Sequence, residues 1–97
     1  MAFDAANLEV YNNTRLHRFE VQLGAKLGVI NYKRDGLTYI FTHTEVPPEN
    51  SGQGIADRMA HVALETAKAE GAQVVPICPF IKVYIHRHTE YASLVVQ

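Results

Sequence analysis

The chain has 97 residues, of which 47% are hydrophobic, and its formal net charge is -1 at pH 7. This size and composition fit one globular domain over residues 1–97, and the near-zero charge argues against a nucleic-acid surface, which usually has a basic excess. Cys78 is the only cysteine, which excludes an intrachain disulfide, and because we find neither a secretory signal nor a membrane-spanning run we expect a cytoplasmic protein.

The first half of the chain predicts three antiparallel strands. Residues 1–13 show little periodicity and end in an Asn-Asn pair, which is typical of a turn or of the start of a strand. Residues 14–22 alternate polar and apolar side chains, as a half-buried strand does, and residues 27–32 repeat the pattern before an Asp-Gly hairpin signal. Residues 37–46 are rich in β-branched and aromatic side chains and predict the third strand. Together they predict an antiparallel meander.

A helix is predicted after two prolines. Pro47 and Pro48 lack an N–H group and prevent further strand pairing, and Ser51 is a candidate cap for the helix that follows. Apolar residues recur at helical spacing over residues 55–67. Gly71 is a natural stop for this helix.

The last third predicts one more strand and one more helix. Residues 73–77 are a short apolar run, and after a crossover helix this strand should lie parallel to its neighbour. Pro79 suits the first position of a helix that continues to about His88, and residues 91–96 form a last short strand or pack on the core. The expected fold class is α+β, with a mixed sheet of three antiparallel strands plus a parallel strand, and two helices.

The segment before the first helix is a candidate anion site. Gly52 and Gly54 allow the backbone to turn tightly and to approach a ligand closely. The free N–H groups of the first helical turn and the helix dipole favour an anion there. No Lys-Ser/Thr pair follows, which excludes an ATP-type loop, and no dinucleotide fingerprint is present. By the motif alone, a tight loop without a ligand explains the glycines equally well.

Four motifs, in order, make the chain resemble a known family. They are His-Thr-Glu-Val-Pro at 43–47, Ser-Gly-Gln-Gly-Ile-Ala at 51–56, Val-Pro-Ile-Cys-Pro-Phe at 75–80 and Tyr-Ile-His-Arg-His-Thr-Glu-Tyr at 84–91. Over residues 17–95 the pattern is similar to the GNAT N-acetyltransferase superfamily, and specifically to the very small branch named for its cysteine and glycine signature.

The resemblance implies acetyl-CoA as the cosubstrate and an amine as the acetyl acceptor. In the superfamily the CoA pyrophosphate lies on the backbone amides of the glycine loop, here those of Gly52, Gln53, Gly54, Ile55 and Ala56. The pantetheine arm enters where two parallel strands part, here residues 37–46 and 73–77, and the prolines explain why pairing fails there. The N–H group of Val46 is the last donor before the prolines, and we expect it to polarise the thioester carbonyl.

Two positions depart from the family pattern. Ser51 stands where Gln or Arg is usual, and serine offers no guanidinium to a phosphate. Either CoA affinity is lower, or Arg58 or Arg87 compensates. Thr89 stands where relatives commonly have proline, which leaves the end of the second helix open.

Cys78 is the candidate nucleophile. It is predicted to lie between the end of a strand and the start of a helix, where the helix dipole favours the thiolate. The resemblance implies that this thiolate accepts the acetyl group and passes it on. The alternative is a small buried apolar residue, which is the commonest environment of a free cysteine.

Five further polar residues are candidates for the site. His43 and Glu45 share one side of the third strand, and either is a candidate general base for the amine or the thiol. In the superfamily the region of Tyr84, Arg87 and His88 flanks the CoA sulfur and pantetheine, so Tyr84 is a candidate proton donor and Arg87 a candidate phosphate partner. For each residue, a role in packing or on the solvated surface is the open alternative.

No metal site is predicted. His86 and His88 are two residues apart, which separates them by about 200° around a helix axis, and one cysteine cannot complete a zinc set.

Two functions fit these observations. The first is an N-acetyltransferase that uses acetyl-CoA and acts on an unidentified amine, which a macromolecule or a partner protein can supply. The second is a CoA-binding module without catalysis, since a chain of this length lacks the acceptor-binding walls of larger relatives. Neither a nucleic acid nor a membrane is expected as a partner.

Overall fold

A mixed five-stranded sheet organises the chain, and the computed structural model describes residues 4–96 of it. The strands are β1 (Tyr11–Asn13), β2 (Arg18–Leu23), β3 (Lys26–Asp35), β4 (Thr38–Glu45) and β5 (Gln73–Pro76). Their order in the sheet follows the chain, with β1 to β4 antiparallel and β5 parallel to β4. The predicted α+β class is confirmed, and so are the meander and the parallel strand.

Two α-helices and three short 3-10 turns complete the described chain. The helices are α1 (Ile55–Ala69) and α2 (Pro79–Arg87), and the 3-10 turns are Ala5–Asn7, Pro48–Asn50 and Thr89–Leu94. Within residues 4–96, neither α-helix has the length and apolar character needed to cross a bilayer.

Two local predictions were wrong, and a third alternative is decided. Residues 14–17 form a turn before β2, because the side chain of Asn13 accepts a hydrogen bond from the N–H of Leu16 and closes it. Ser51 does not cap α1, since Gly54 occupies the N-cap with a φ of 78°. Of the two alternatives for residues 91–96, packing on the core holds: the chain after α2 forms a 3-10 turn with one isolated bridge, between Val74 and Val95, and Tyr91, Leu94 and Val95 pack against the core.

The core lies between one face of the sheet and α1. The alternation in β2 buries Phe19, Val21 and Leu23, and the matching face of β3 buries Ile30 and Tyr32. From the helix, the side chains that complete this core are Ile55, Met59, Ala60, Ala63, Leu64 and Ala67.

Helix α1 crosses β3 at Gly28. A Cβ atom at that glycine would come within 3.2 Å of Met59 Sδ and 3.0 Å of Val21 Cγ1. The missing side chain therefore allows the helix to approach the sheet closely at this point.

A β-bulge in β4 decides which side chains face the core. Asn31 pairs with His43 while Tyr32 pairs with Phe41, so Thr42 is an extra residue on β4. One extra residue reverses the alternation beyond it. Phe41 and, three residues later, Thr44 both face the core, where Thr44 is the partner of Ile30. His43 and Glu45 consequently face outward.

Glu70 ties the end of α1 to the sheet. The Tyr39 hydroxyl donates to both carboxylate oxygens of Glu70 at 2.9 Å, and Arg34 Nη1 lies 3.3 Å from Glu70 Oε1. The Arg34 guanidinium also lies over the Tyr39 ring, 4.0 Å from its centroid. Burial, together with the hydrogen bond to Glu70, raises the pKa of Tyr39 to about 12.

This pKa predicts how stability changes at alkaline pH. Because the folded-state pKa of Tyr39, about 12, lies above the unfolded value of about 10, folding favours the protonated phenol. The free energy of unfolding should fall as pH rises through this window, with about 2–3 kcal/mol of the fall due to Tyr39. Tyr39→Phe should be less stable at pH 7 but should lose less stability between pH 9 and 12. Urea unfolding across this range measures both slopes, and parallel slopes would contradict the assignment.

Candidate active site

A cavity of about 340 Å³ opens between the end of β4, the glycine loop and α2. Its walls are Val46, Asn50, Ser51, Gly52, Gly54, Ile55, Ala56, Asp57, Phe80 and Arg87. Four of the five residues whose amides were predicted to bind pyrophosphate line it, together with the predicted Val46. Gln53, the fifth, is half-buried and lies outside the lining set.

The cavity exists because β4 and β5 stop pairing. Their last paired residues are Phe41 and Pro76, and proline has no N–H group for the next hydrogen bond. One more contact follows, from the N–H of Cys78 to the carbonyl of Phe41 at 2.9 Å. Beyond it β4 continues to Glu45 while the other chain turns into α2, so the two segments diverge.

Two left-handed glycines shape the loop. Gly52 has a φ of 80° and Gly54 a φ of 78°, a backbone region that other residues occupy only with strain. The first hydrogen bond of α1 runs from the N–H of Arg58 to the carbonyl of Gly54 at 3.0 Å. The N–H groups of residues 55–57 therefore have no acceptor within the helix. These residues form the first turn of α1, at the cavity wall. This end of α1 has the donor geometry that anions prefer.

The charged residues of the cavity stand on opposite sides. Arg87, in the last turn of α2, lines it, whereas Arg58 donates from Nε to the carbonyl of Leu8 at 3.4 Å and is outside the lining set. Of the two arginines considered as replacements for a guanidinium at Ser51, Arg87 is the one on the cavity. Asp57 adds a negative charge in the first turn of α1.

Tyr84 lies one helical turn beyond Phe80, behind the cavity wall. Its ring stacks on His88 with centroids 4.0 Å apart, so His88 contacts Tyr84 and neither lines the cavity. Burial and, next, the charge of Asp57 raise the pKa of Tyr84. Its hydroxyl therefore stays protonated at neutral pH, as a proton donor must.

Cys78 is the N-cap residue of α2, as predicted, and its side chain is only 3% exposed. Its Sγ lies 3.2 Å from Thr44 Oγ1, within hydrogen-bonding distance. The thiol thus fills the apex of the divergence between β4 and the chain after β5. Thr44 is a site residue that the sequence did not reveal, because its inward direction depends on the bulge at Thr42.

His43 and Glu45 are brought to each other and not to Cys78. His43 Nε2 lies 3.4 Å from Glu45 Oε1, and their side chains are 59% and 71% exposed. They flank Thr44 on β4 and so face the opposite side of the sheet from the thiol. The hypothesis that one of them deprotonates Cys78 therefore has no support in the geometry, and both remain candidate bases for an acceptor amine.

Within residues 4–96, no three His, Cys, Asp or Glu side chains are grouped closely enough to hold a metal ion.

Comparison with known proteins gives a consistent picture. The family model described as GCN5-related N-acetyl-transferase matches residues 18–94. The solution NMR structure of a GCN5-like protein from Staphylococcus aureus superimposes with a TM-score of 0.72 at 22% identity, over 94% of this chain and 90% of that chain. At this identity the structural likeness concerns the fold alone. No curated protein sequence gave a significant match.

The glycine loop generates a test with an internal control. Gly52 and Gly71 have φ values of 80° and 69°, and a Cβ at either would meet nothing within 4 Å. Gly52→Ala and Gly71→Ala should each cost about 1–2 kcal/mol of stability through the same backbone strain. Only Gly52→Ala alters the cavity, so it alone should weaken CoA binding, by about tenfold or more. Calorimetric titration with CoA measures this, and equal affinities of the two variants would exclude the loop from binding.

Proposed function

Because the chain belongs to the family of GCN5-related N-acetyltransferases, we propose that it transfers the acetyl group of acetyl-CoA to an amine. The main support is the cavity at the point where β4 and β5 diverge. One wall offers backbone N–H donors and the other offers the guanidinium of Arg87. This combination suits a ligand with phosphates at one end and an extended arm.

The proposed site of the pyrophosphate is the glycine loop and the start of α1. The proposed donors are the amides of Gly52, Gln53, Gly54, Ile55 and Ala56. A Cβ at Gly52 would have nothing within 4 Å, so the space beside the loop is open to a ligand. Arg87 supplies the cationic partner that Ser51 does not, from the opposite wall. Asp57 opposes anion binding at its own end of the cavity, which favours the side near Gly52.

Val46 is the proposed partner of the thioester carbonyl. It follows the last residue of β4, precedes Pro47 and lines the cavity. An N–H donor aimed at this oxygen stabilises the negative charge that develops when a nucleophile adds to the carbonyl carbon. The two prolines that follow hold the chain in a 3-10 turn, so the donor is held in place without the support of a strand.

In the proposed covalent route, Cys78 receives the acetyl group first. The thiol loses its proton to solvent, and Sγ bonds to the acetyl carbon as the bond from that carbon to the CoA sulfur breaks. The leaving sulfur takes a proton from solvent, because Tyr84, the candidate donor, lies behind the cavity wall. The amine then displaces Sγ, and its lost proton restores the thiol. Thr44, 3.2 Å from Sγ, is the proposed positioning residue for the thiol.

The acceptor amine is proposed to approach from outside the cleft. His43 and Glu45 lie on the open face of the sheet beside Val46, where either can take a proton from an incoming amine. The small domain does not enclose an acceptor, which suits an amine on a macromolecule or one presented by a partner protein.

A CoA-binding module without catalysis is the second candidate. The burial of Cys78, which is 3% exposed, and the distance of the candidate bases from it favour this alternative. Both candidate functions involve the same ligand, and they differ only in whether the acetyl group is transferred to an acceptor.

Binding and transfer are tested separately. Acetyl-CoA should raise the melting temperature, because a ligand that binds only the native state stabilises it. A panel of amines and lysine peptides should then release CoA thiol, which a thiol reagent detects. A thermal shift without thiol release from any acceptor favours the non-catalytic module, and the absence of a shift contradicts both candidates.

The cysteine route is tested by comparing Cys78→Ala with Cys78→Ser. Both variants should bind CoA like the wild type, because the glycine loop and Arg87, the proposed phosphate partners, are unchanged. If Sγ accepts the acetyl group, the rate of acetyl transfer should fall in both variants by a factor of about 100 or more. Mass spectrometry of the wild type should then detect a mass increase of about 42 Da on Cys78, which corresponds to one acetyl group. Full activity in Cys78→Ala would show that the amine attacks the thioester directly.

A further inference from the structure

Asn50 is the only buried polar residue within residues 4–96, at 6% exposure. Its backbone is satisfied, because its N–H donates to the carbonyl of Pro47 at 2.9 Å. We find no hydrogen bond of its side-chain carboxamide within residues 4–96, and because Arg34 Nε is the one fully buried side-chain atom there without a partner, the carboxamide keeps some access to the cavity that Asn50 lines. An amide on a largely buried residue that has no partner in the protein calls for an explanation, and a ligand in the cavity would supply one.

The carboxamide faces the cavity from a fixed turn. Asn50 lines the cavity, as Val46 and Gly52 on either side of it in the sequence do, and it ends the 3-10 turn Pro48–Asn50. The two prolines restrict the backbone before it, and the N–H of Ser51 closes the turn on the carbonyl of Pro48 at 3.1 Å. The backbone that carries this side chain is therefore already fixed before a ligand enters, so binding does not have to order it.

The chemistry of the carboxamide selects among the parts of a ligand. It has an NH₂ group with two donors and an oxygen that accepts. Phosphate oxygens can only accept, so a diphosphate would leave the Asn50 oxygen unsatisfied. A secondary amide presents one N–H and one carbonyl and can satisfy both sides of a carboxamide.

We infer that Asn50 hydrogen-bonds to an amide of the pantetheine arm of CoA. This rests on the proposed function, which sets the diphosphate at Gly52 and the thioester at Val46. Asn50 lies between these two residues in the chain and lines the same cavity, and the arm with its amides joins the diphosphate to the thioester. Asn50 thus recognises the arm and sets its depth in the cleft.

The test compares two ligands that share the same nucleotide. CoA has the arm, and 3′-phospho-ADP is the remaining nucleotide without it. Asn50→Leu should weaken CoA binding by about tenfold, which equals about 1.4 kcal/mol, and should leave the dissociation constant of 3′-phospho-ADP unchanged. Asn50→Ala should have the same selective effect, which excludes steric blocking of the arm by leucine.

Stability separates recognition from a structural role. Because the Asn50 carboxamide makes no hydrogen bond within residues 4–96, replacing it with leucine should leave the melting temperature of the ligand-free protein equal or higher, whereas loss of a structural hydrogen bond would lower it. Asn31→Leu, on the outward face of the sheet, is the matched control, with both dissociation constants expected at the wild-type value.

Each contrary result has its own meaning. A wild type that binds neither ligand overturns the proposed function and this inference together. A wild type that binds CoA, with both Asn50 variants at the same affinity, overturns the inference alone. Equal losses for CoA and 3′-phospho-ADP would assign Asn50 to the diphosphate and also overturn it.

Discussion

The divergence of β4 and β5 beyond Pro76 is the constraint on which the rest of the site depends. A parallel pair normally continues as long as both chains can exchange N–H and carbonyl groups, and proline removes one donor where the other strand still has four residues to run. The gap that results is bordered by free backbone groups and by the start of two helices. In a domain of this size, a break in the sheet creates a cleft without any added wall.

The bulge at Thr42 determines what faces this gap. Without it, the alternation that buries Tyr39 and Phe41 would continue to His43 and Glu45 and turn them into the core. With it, a small hydroxyl meets the thiol and the two ionisable groups remain in solvent. Bulges commonly redirect side chains next to functional sites. Here the redirection separates the candidate nucleophile from the candidate bases, which limits the chemistry that can be assigned to each.

The two ends of α1 have opposite tasks. Its C-terminal end is held by Tyr39 and Arg34 through the carboxylate of Glu70, a tight set of contacts with the sheet. Near the middle, the Tyr91 hydroxyl donates to Glu65 Oε2 at 2.6 Å and joins the chain after α2 to the helix. The N-terminal end begins at a left-handed glycine without a side-chain cap. The helix is therefore anchored away from the cavity, and its unsatisfied N–H groups remain available at the cavity.

The sequence alone located β2 to β5 apart from their exact ends, because their alternation and composition depend on local burial, and it located the end of α1 through Gly71 and the start of α2 through Pro79. It also located the glycine loop and the place where pairing fails, since glycine and proline act through the backbone at their own positions. Only the tertiary structure decided that the side chain of Thr44 points to the core and that of His43 to solvent, because a bulge depends on the register of two strands. It also decided that Arg87 and not Arg58 lines the cavity, and that Asn50 is buried, since an Asn in a turn is ordinarily solvated. Burial and neighbours depend on how distant segments pack, and local sequence patterns do not contain that information.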